Sequence, residues 1–331
     1  MTDLNIRKDR QAGRITLTRP QALNALTHDM ALGIEAALDE WRADPQVRLV
    51  LIDAEGERAF CAGGDVAAVC RAAQAGDHGA SRRFFADEYR MNARLAGFPK
   101  PVVSFMQGYV MGGGVGVGGH ASIRIVGDTT RIAMPETGIG LIPDVGGSWL
   151  LARAPGRAGE YLGLTGTRMG PGDAIFAGFA DHYVPEAEWP ALIEAMAESG
   201  DPGHLRPHAP PPAPLEAMDL SLYGRDLAAI EAGANGEAAE AMARASPLSK
   251  RATLALIRAS RADRRIEQSL SREYRFTHRA TEHGDFVEGV RARLLDKDQA
   301  PVWHAQAGSD AVARMLAPLG SAELAWPAEE A

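Results

Sequence analysis

Two carboxylates stand out by their surroundings. In "MPETGIGLIPDVGGSWLLAR", residues 134–153, Glu136 and Asp144 lie eight positions apart, each directly after a proline and among apolar residues and glycines. A carboxyl group in such a setting holds its proton to higher pH than usual, which suits general acid–base or nucleophilic work. The plainer reading is two loop carboxylates capping turns, with "PDVGG" as a turn and helix start. A second stretch, "AFCAGGDV", leaves an apolar run through Gly63 and Gly64 and reaches Asp65, where a helix can begin and an Asp can accept bonds from orphan amides. The Gly64 amide is then available to face a cleft. Two such amides, one from each of two glycine turns, would make an oxyanion hole. The alternative is an ordinary capped turn.

The second glycine turn is "MGGGVGVGG", residues 111–119, with six glycines in nine positions. Ordered glycine is entropically expensive, so a backbone this bare implies close approach of something: a phosphate, another chain segment or a reacting carbonyl. Gly114, Gly116 and Gly119 match the dinucleotide fingerprint G-x-G-x-x-G. However, "HASIRIVGD" after them reads as a strand rather than a long helix, and no acidic residue is clearly placed about 20 residues on. Close packing of the glycine backbone on a neighbour is the competing explanation.

Other chemistries find little support. The two cysteines, Cys61 and Cys70, form no C-x-x-C pair and read as small buried hydrophobes in a reducing compartment. No G-x-S-x-G elbow accompanies the nine histidines, and Ser148 reads as a helix-start residue. No His/Cys cluster offers a metal site, and no metal or separate cofactor is expected. The net charge of −8 and the lack of a basic tract with aromatics argue against nucleic acid. The basic cluster at residues 258–265 reads as a solvated helix face. No apolar run reaches membrane-spanning length, and the N-terminus lacks an apolar signal region, so a soluble cytoplasmic protein is expected.

The elements that must position these residues follow from periodicity. Residues 13–19 alternate as a half-buried strand. Residues 24–44 carry helical spacing with Met30, Ile34, Leu38 and Trp41 on one face, stopped before Pro45. "VRLVLIDAEG" is a buried strand, so the order predicts a parallel βαβ unit. Two helices follow the first glycine turn, "VVSFMQGYV" reads as one buried strand, and two more strands lie at "ASIRIVGD" and "RIAMPE". "DAIFAGFADHYVP" is a helix running into a short strand. The proline-rich stretch at residues 204–214 reads as an extended linker. This gives a core over 1–203, a linker at 204–214 and a helical region over 215–331, whose end, "SAELAWPAEEA", reads as loosely ordered.

In combination, "ALNAL", "AFCAGGDV", "MGGGVG" and "MPETGIGLIPDVGG", in this order, resemble the crotonase (enoyl-CoA hydratase/isomerase) superfamily. Within it, "LTGTRMGPGDAIFAGFADHYV", "SPLSKRATLALI" and "DFVEGVRARLLDKDQAPVW" are most similar to the subfamily that hydrolyses 3-hydroxyisobutyryl-CoA in valine catabolism. The resemblance runs from about residue 12 to 305 and implies an α/β fold, a spiral of ββα units with a helical C-terminal region, that takes an acyl-CoA substrate. It implies that the amides of Gly64 and Gly113 form the oxyanion hole, that Glu136 and Asp144 are catalytic, and that Glu88 in "FFADEYRMN" contacts substrate. It places the backbone around Ala62 near the CoA adenine. Lys297 in "LLDKD" is a candidate for the CoA phosphates. Hydratases of the superfamily carry a first glutamate where this chain has Gly116, which points to thioester hydrolysis, giving free acid and CoA. An enoyl-CoA hydratase or isomerase working through Glu136 alone, and a non-catalytic acyl-CoA-binding protein, are the alternatives. A homo-oligomer is compatible with the resemblance.

Overall fold

A computed structural model describes residues 3–304 and 308–326. It divides into two compact units, each assembled from separated stretches of chain: residues 1–64, 91–134 and 168–219 in the first, residues 65–90, 135–167 and 220–331 in the second. The expected division at 204–214 runs along the sequence. These units do not, because each draws on three separated stretches of chain.

Every strand of the described residues lies in the first unit. A six-stranded sheet has the order β1 (Leu4–Asp9), β2 (Ala12–Leu17), β3 (Leu49–Ala54), β5 (Val102–Met106), β7 (Ile123–Val126), β9 (His182–Tyr183). A three-stranded sheet has the order β4 (Ala59–Cys61), β6 (Tyr109–Met111), β8 (Arg131–Ala133). Only β1 and β2 pair antiparallel; the other pairs are parallel. Along the chain the order is ββα repeated. From the second repeat on, the first strand of each pair enters the large sheet and the second enters the small one.

Alternation across β2 fixes its two faces. Ala12 joins a core with Leu49, Leu51, Val103, Phe105 and the helix α8 (Trp189–Ser199), where Trp189 meets Phe105 edge to face at 5.5 Å. Gly13 faces the other way: a Cβ there would fall 2.3 Å from the Trp41 ring of α1 (His28–Arg42). Met30, Ile34, Leu38 and Trp41 are buried along α1, as the spacing predicts, and Thr27 caps its start. The stretch "VVSFMQGYV" differs from expectation. Gly108, at φ 56°, breaks it into β5 and β6, which belong to different sheets, and a Cβ there would strike the Arg58 carbonyl at 2.3 Å. The proline-rich stretch is extended and held: His208 donates its N–H to the Tyr183 carbonyl at 2.9 Å, and Gly172 of α7 (Pro171–Phe176) leaves room for the carbonyls of Pro211 and Pro212.

The second unit is helical. It contains α2 (Val66–Gln74) and the start of α3 (His78–Ala96), then α5 (Gly147–Arg153), α6 (Ala158–Thr165), α9 (Leu227–Gly233), α10 (Gly236–Arg244), α11 (Pro247–Ser260), α12 (Ile266–His283), α13 (Phe286–Val290) and α14 (Ser309–Leu316). Residues 321–326, expected to be loose, are tied to α12: Arg275 pairs with Glu323 at 2.8 Å and Trp326 donates its indole N–H to Ser271 at 2.8 Å. Residues 327–331 of that stretch lie outside the described residues. Arg258 and Arg261, expected on a solvated face, turn toward Glu160, which is fully buried. Among the described residues no helix is long and apolar enough to cross a membrane.

Candidate active site

In the first unit, the two glycine bends follow neighbouring parallel strands of the small sheet, β4 and β6. Gly63 has φ 122°, open to glycine alone, and its missing side chain would point toward the Met111 carbonyl at 3.6 Å. Leu26 donates to the Gly63 carbonyl at 2.8 Å, so that pairing occupies the Gly63 oxygen and leaves the Gly64 N–H out of it. Ala62 donates its own N–H to Leu23 at 3.0 Å. The second bend turns at Gly112, φ 46°, into a short helix α4 (Gly113–Gly118). Gly113 is the first residue of that helix, where an N–H has no acceptor in its own ladder.

The glycine density has a packing cause. A Cβ at Gly114 would come within 2.0 Å of the Cys61 carbonyl, and one at Gly118 within 2.7 Å of the Met106 sulfur. The bare backbone therefore lies against another chain segment, and this close approach brings the two bends side by side. Gly116, buried in α4, carries no carboxylate. The dinucleotide fingerprint is embedded in six residues of helix followed by strand β7, as its poor context implied.

The second unit brings Glu88, Glu136 and Asp144 together and adds two residues that the sequence patterns did not single out, Tyr89 and Glu273. All five side chains are buried. Glu136 opens a short 3-10 turn, Glu136–Ile139, that closes at Gly140 with φ 73°. No side chain fits at Gly140, where a Cβ would meet the Asp285 carbonyl at 2.3 Å, nor at Gly289 of α13, where it would meet the Ile139 carbonyl at 2.2 Å. These approaches pin the turn against the start of α13. Asp144 precedes two left-handed residues, Val145 at φ 52° and Gly146 at φ 79°, before α5 begins. A buried β-branched residue in that conformation is strained.

Asp144 accepts a hydrogen bond from the Tyr89 hydroxyl at 2.7 Å. Glu273, on the buried face of α12, accepts from the N–H of Gly146 at 2.8 Å, the N–H of Ser148 at 3.0 Å and the Ser148 hydroxyl. Ser148 is thus a helix-start residue, as expected. One oxygen each of Glu88 and Glu136 is buried without a hydrogen-bond partner. The sequence did carry a signal for Glu88, Tyr89 and Glu273: each sits one helical turn from buried apolar residues, Phe84 and Phe85 on α3 and Leu270 and Phe276 on α12.

Burial dominates the electrostatics. It pushes Glu136 well above the usual carboxylate range, helped by the negative charges of Asp144, Glu273 and Glu88. Glu88 is raised by burial and by Asp144. Burial lifts Asp144 to about 7 against the opposing hydrogen bond of Tyr89, and Glu273 to about 7 against those of Ser148 and Gly146. Burial together with their mutual repulsion raises all four carboxyl groups, which favours retention of protons toward neutral pH. That suits groups that take up and release protons near pH 7. Among the described residues, no group of three or more His, Cys, Asp or Glu side chains is arranged to hold a metal ion.

Lys297 stands apart from this cluster's hydrogen bonds. It is exposed, left-handed at φ 59°, and follows a π-helical turn, Arg291–Leu295, in which Arg291 pairs with Glu288, Asp296 and Asp298.

The chain belongs to the enoyl-CoA hydratase/isomerase family, whose model matches residues 12–210 and 221–318. Among curated relatives, "3-hydroxyisobutyryl-CoA hydrolase, mitochondrial" of Danio rerio is 37% identical, covering 88% of this chain and 82% of the relative. "3-hydroxyisobutyryl-CoA hydrolase 1" of Arabidopsis thaliana is 38% identical, covering 87% of this chain and 83% of the relative. A solved structure named as an enoyl-CoA hydratase from Rhodobacter sphaeroides is 52% identical with a TM-score of 0.95, covering 98% of this chain and all of that one. Another, named as a carnitinyl-CoA dehydratase from Mycobacterium thermoresistibile, is 41% identical with a TM-score of 0.94, covering 99% and 100%. The crotonase-like fold is therefore the fold of this chain. The expected cytoplasmic location is overturned, because vertebrate relatives such as those of Danio rerio and Gallus gallus carry "mitochondrial" in their names.

Proposed function

We propose that the chain hydrolyses short, branched 3-hydroxyacyl-CoA thioesters of the 3-hydroxyisobutyryl-CoA type to free acid and CoA. The observation that carries the reading is Glu136, a buried carboxyl with one oxygen lacking a hydrogen-bond partner, paired with Asp144 in a cluster that holds protons near neutrality. The names of the curated relatives support the same substrate class. In the proposed reaction the thioester oxygen accepts hydrogen bonds from the amides of Gly64 and Gly113. Glu136 takes a proton from water as that water adds to the carbonyl carbon, or adds its own oxygen to form an acyl anhydride that water then opens. In both routes the carbon–sulfur bond breaks and CoA leaves as the thiol, the sulfur taking up a proton. Asp144 binds the substrate hydroxyl or orients the water, and Glu88 contacts the acyl group. The backbone at Ala62 and the Lys297 ammonium are the proposed CoA contacts. The reaction needs no metal or further cofactor.

The second reading, hydration of an enoyl-CoA, is favoured by the name given to the 52% identical structure. Against it, Gly116 supplies no second acid within α4. Glu136→Gln tests the assignment. It keeps the shape and removes the proton exchange, so thioester cleavage should fall at least about 1,000-fold, within the range for lost acid–base catalysis. CoA-ester binding, measured by calorimetry, should hold within a few-fold. Near-normal turnover would remove Glu136 from the mechanism.

A further inference from the structure

We propose that Glu273 is a positioning residue for this reaction: it holds the turn from Asp144 to Ser148 in its strained form and thereby sets the aim of the Asp144 carboxylate. The inference rests on the hydrolase reading above. Glu273 itself lies one step back from the proposed chemistry, on α12, and it spends both oxygens on the turn.

Three observations converge. First, the turn needs holding. Val145 is fully buried yet left-handed, a conformation that β-branched residues avoid, and the strain sits directly after Asp144. Second, Glu273 supplies the hold. Gly146 is the N-cap of α5 and Ser148 lies in its first turn, where N–H groups lack acceptors in their own helix, and a glycine cap has no side chain to supply one. Glu273 takes that role from another helix, each of its oxygens accepting one of the two N–H groups. Third, Glu273 is braced in turn. The Ser148 hydroxyl lies 3.1 Å from that of Ser260, Ser269 donates to Asp263 at 2.7 Å and lies 2.9 Å from the Ser260 hydroxyl, and Arg272 pairs with Asp263. The chain of contacts runs from the α11–α12 connection to the turn. On the far side, Asp144 is fixed by the Tyr89 hydroxyl, which also lies 3.3 Å from Thr277, one helical turn after Glu273 on α12. Helix α12 therefore bears on Asp144 from two sides, through the turn that Glu273 holds and through Tyr89 beside Thr277.

The charges that bear on Glu136 are those of Asp144, Glu273 and Glu88, and Tyr89 donates its hydroxyl to Asp144. Glu273 bears on Glu136 as a like charge, so its removal has an electrostatic consequence that a purely structural residue would not have.

The experiment compares Glu273→Gln and Ser148→Ala with the wild-type chain on 3-hydroxyisobutyryl-CoA, reading kcat, KM and the pH profile of kcat, with Tm as a check on folding. In Glu273→Gln one carboxylate oxygen becomes an amide that opposes an N–H. The expected result is a kcat loss of about 10–100-fold with KM changed less than about 3-fold, and an acidic limb moved to lower pH. Ser148→Ala leaves both amide contacts in place, so it should fold and lose about 3-fold in kcat with the limb unmoved. Wild-type kcat in Glu273→Gln, or a loss matched by a rise in KM with an unmoved limb, overturns the proposal. If Glu273→Gln yields no folded protein, Ser148→Ala decides: unchanged kcat overturns the proposal and a selective kcat loss upholds it. Failure here with Glu136→Gln still inactive leaves the hydrolase reading standing and removes only the role of Glu273.

Discussion

The glycine bends and the acid cluster are built on opposite economies. In the glycine bends the backbone itself is constrained: a carbonyl takes the place of a side chain at Gly114, and Gly63 and Gly112 turn at φ 122° and 46°. At Glu88, Glu136, Asp144 and Glu273 the working part is side chain, held in burial that penalises its charge. The first region derives precision from steric exclusion, the second reactivity from poor solvation. A bend of the first kind resists any substitution. A cluster of the second kind gains stability when its charge is removed and loses function by the same change.

The largest expected effect breaks the first region. Gly114→Ala places a methyl group 2.0 Å from the Cys61 carbonyl, and neither backbone can yield cheaply. It should destabilise the chain by roughly 3 kcal/mol or more, read as a lower midpoint in urea. An unchanged midpoint would show that the bends have slack. Next, Asp144→Asn keeps shape and the Tyr89 contact but removes the charge, and should slow thioester cleavage about 100-fold. An unchanged rate would move Asp144 into a structural role.

The smallest effect sharpens the contrast. Glu88 has a folded pKa above its unfolded value, so the folded chain binds its proton more tightly. That contribution is fully present below the unfolded pKa, about 4.3, and is progressively lost as pH rises above it. Gln does not titrate. Glu88→Gln should therefore raise Tm at pH 8 by a few degrees, and by less at pH 5, while lowering activity. A Tm gain equal at both pH values would show that Glu88 carries no burial penalty.

Much of this contrast was legible in the residues. The α1 face and the parallel β2–β3 pair follow from spacing, and Asp65 caps α2 by accepting from Ala68 as its position implied. The setting of Glu136 and Asp144 was readable because apolar residues and glycines surround them in sequence as well as in space. Three features were hidden. Strand β1, "LNIRKD", is an edge strand with mixed polar residues, so no burial pattern marks it. The break at Gly108 depends on the Arg58 carbonyl, distant in sequence. Glu273 sits in "SREYRF", which reads as a polar helix surface until its place on the stripe of Ile266, Leu270 and Phe276 is noticed. Backbone bends declare themselves through glycine, whereas a buried acid on a helix declares itself only through its phase.

The most direct measurement follows free thiol and enoyl absorbance together when the chain is supplied with 3-hydroxyisobutyryl-CoA and, separately, with crotonyl-CoA. The account predicts stoichiometric thiol release from the first and no loss of enoyl absorbance from the second. Rapid loss of crotonyl absorbance without thiol release from 3-hydroxyisobutyryl-CoA would contradict it.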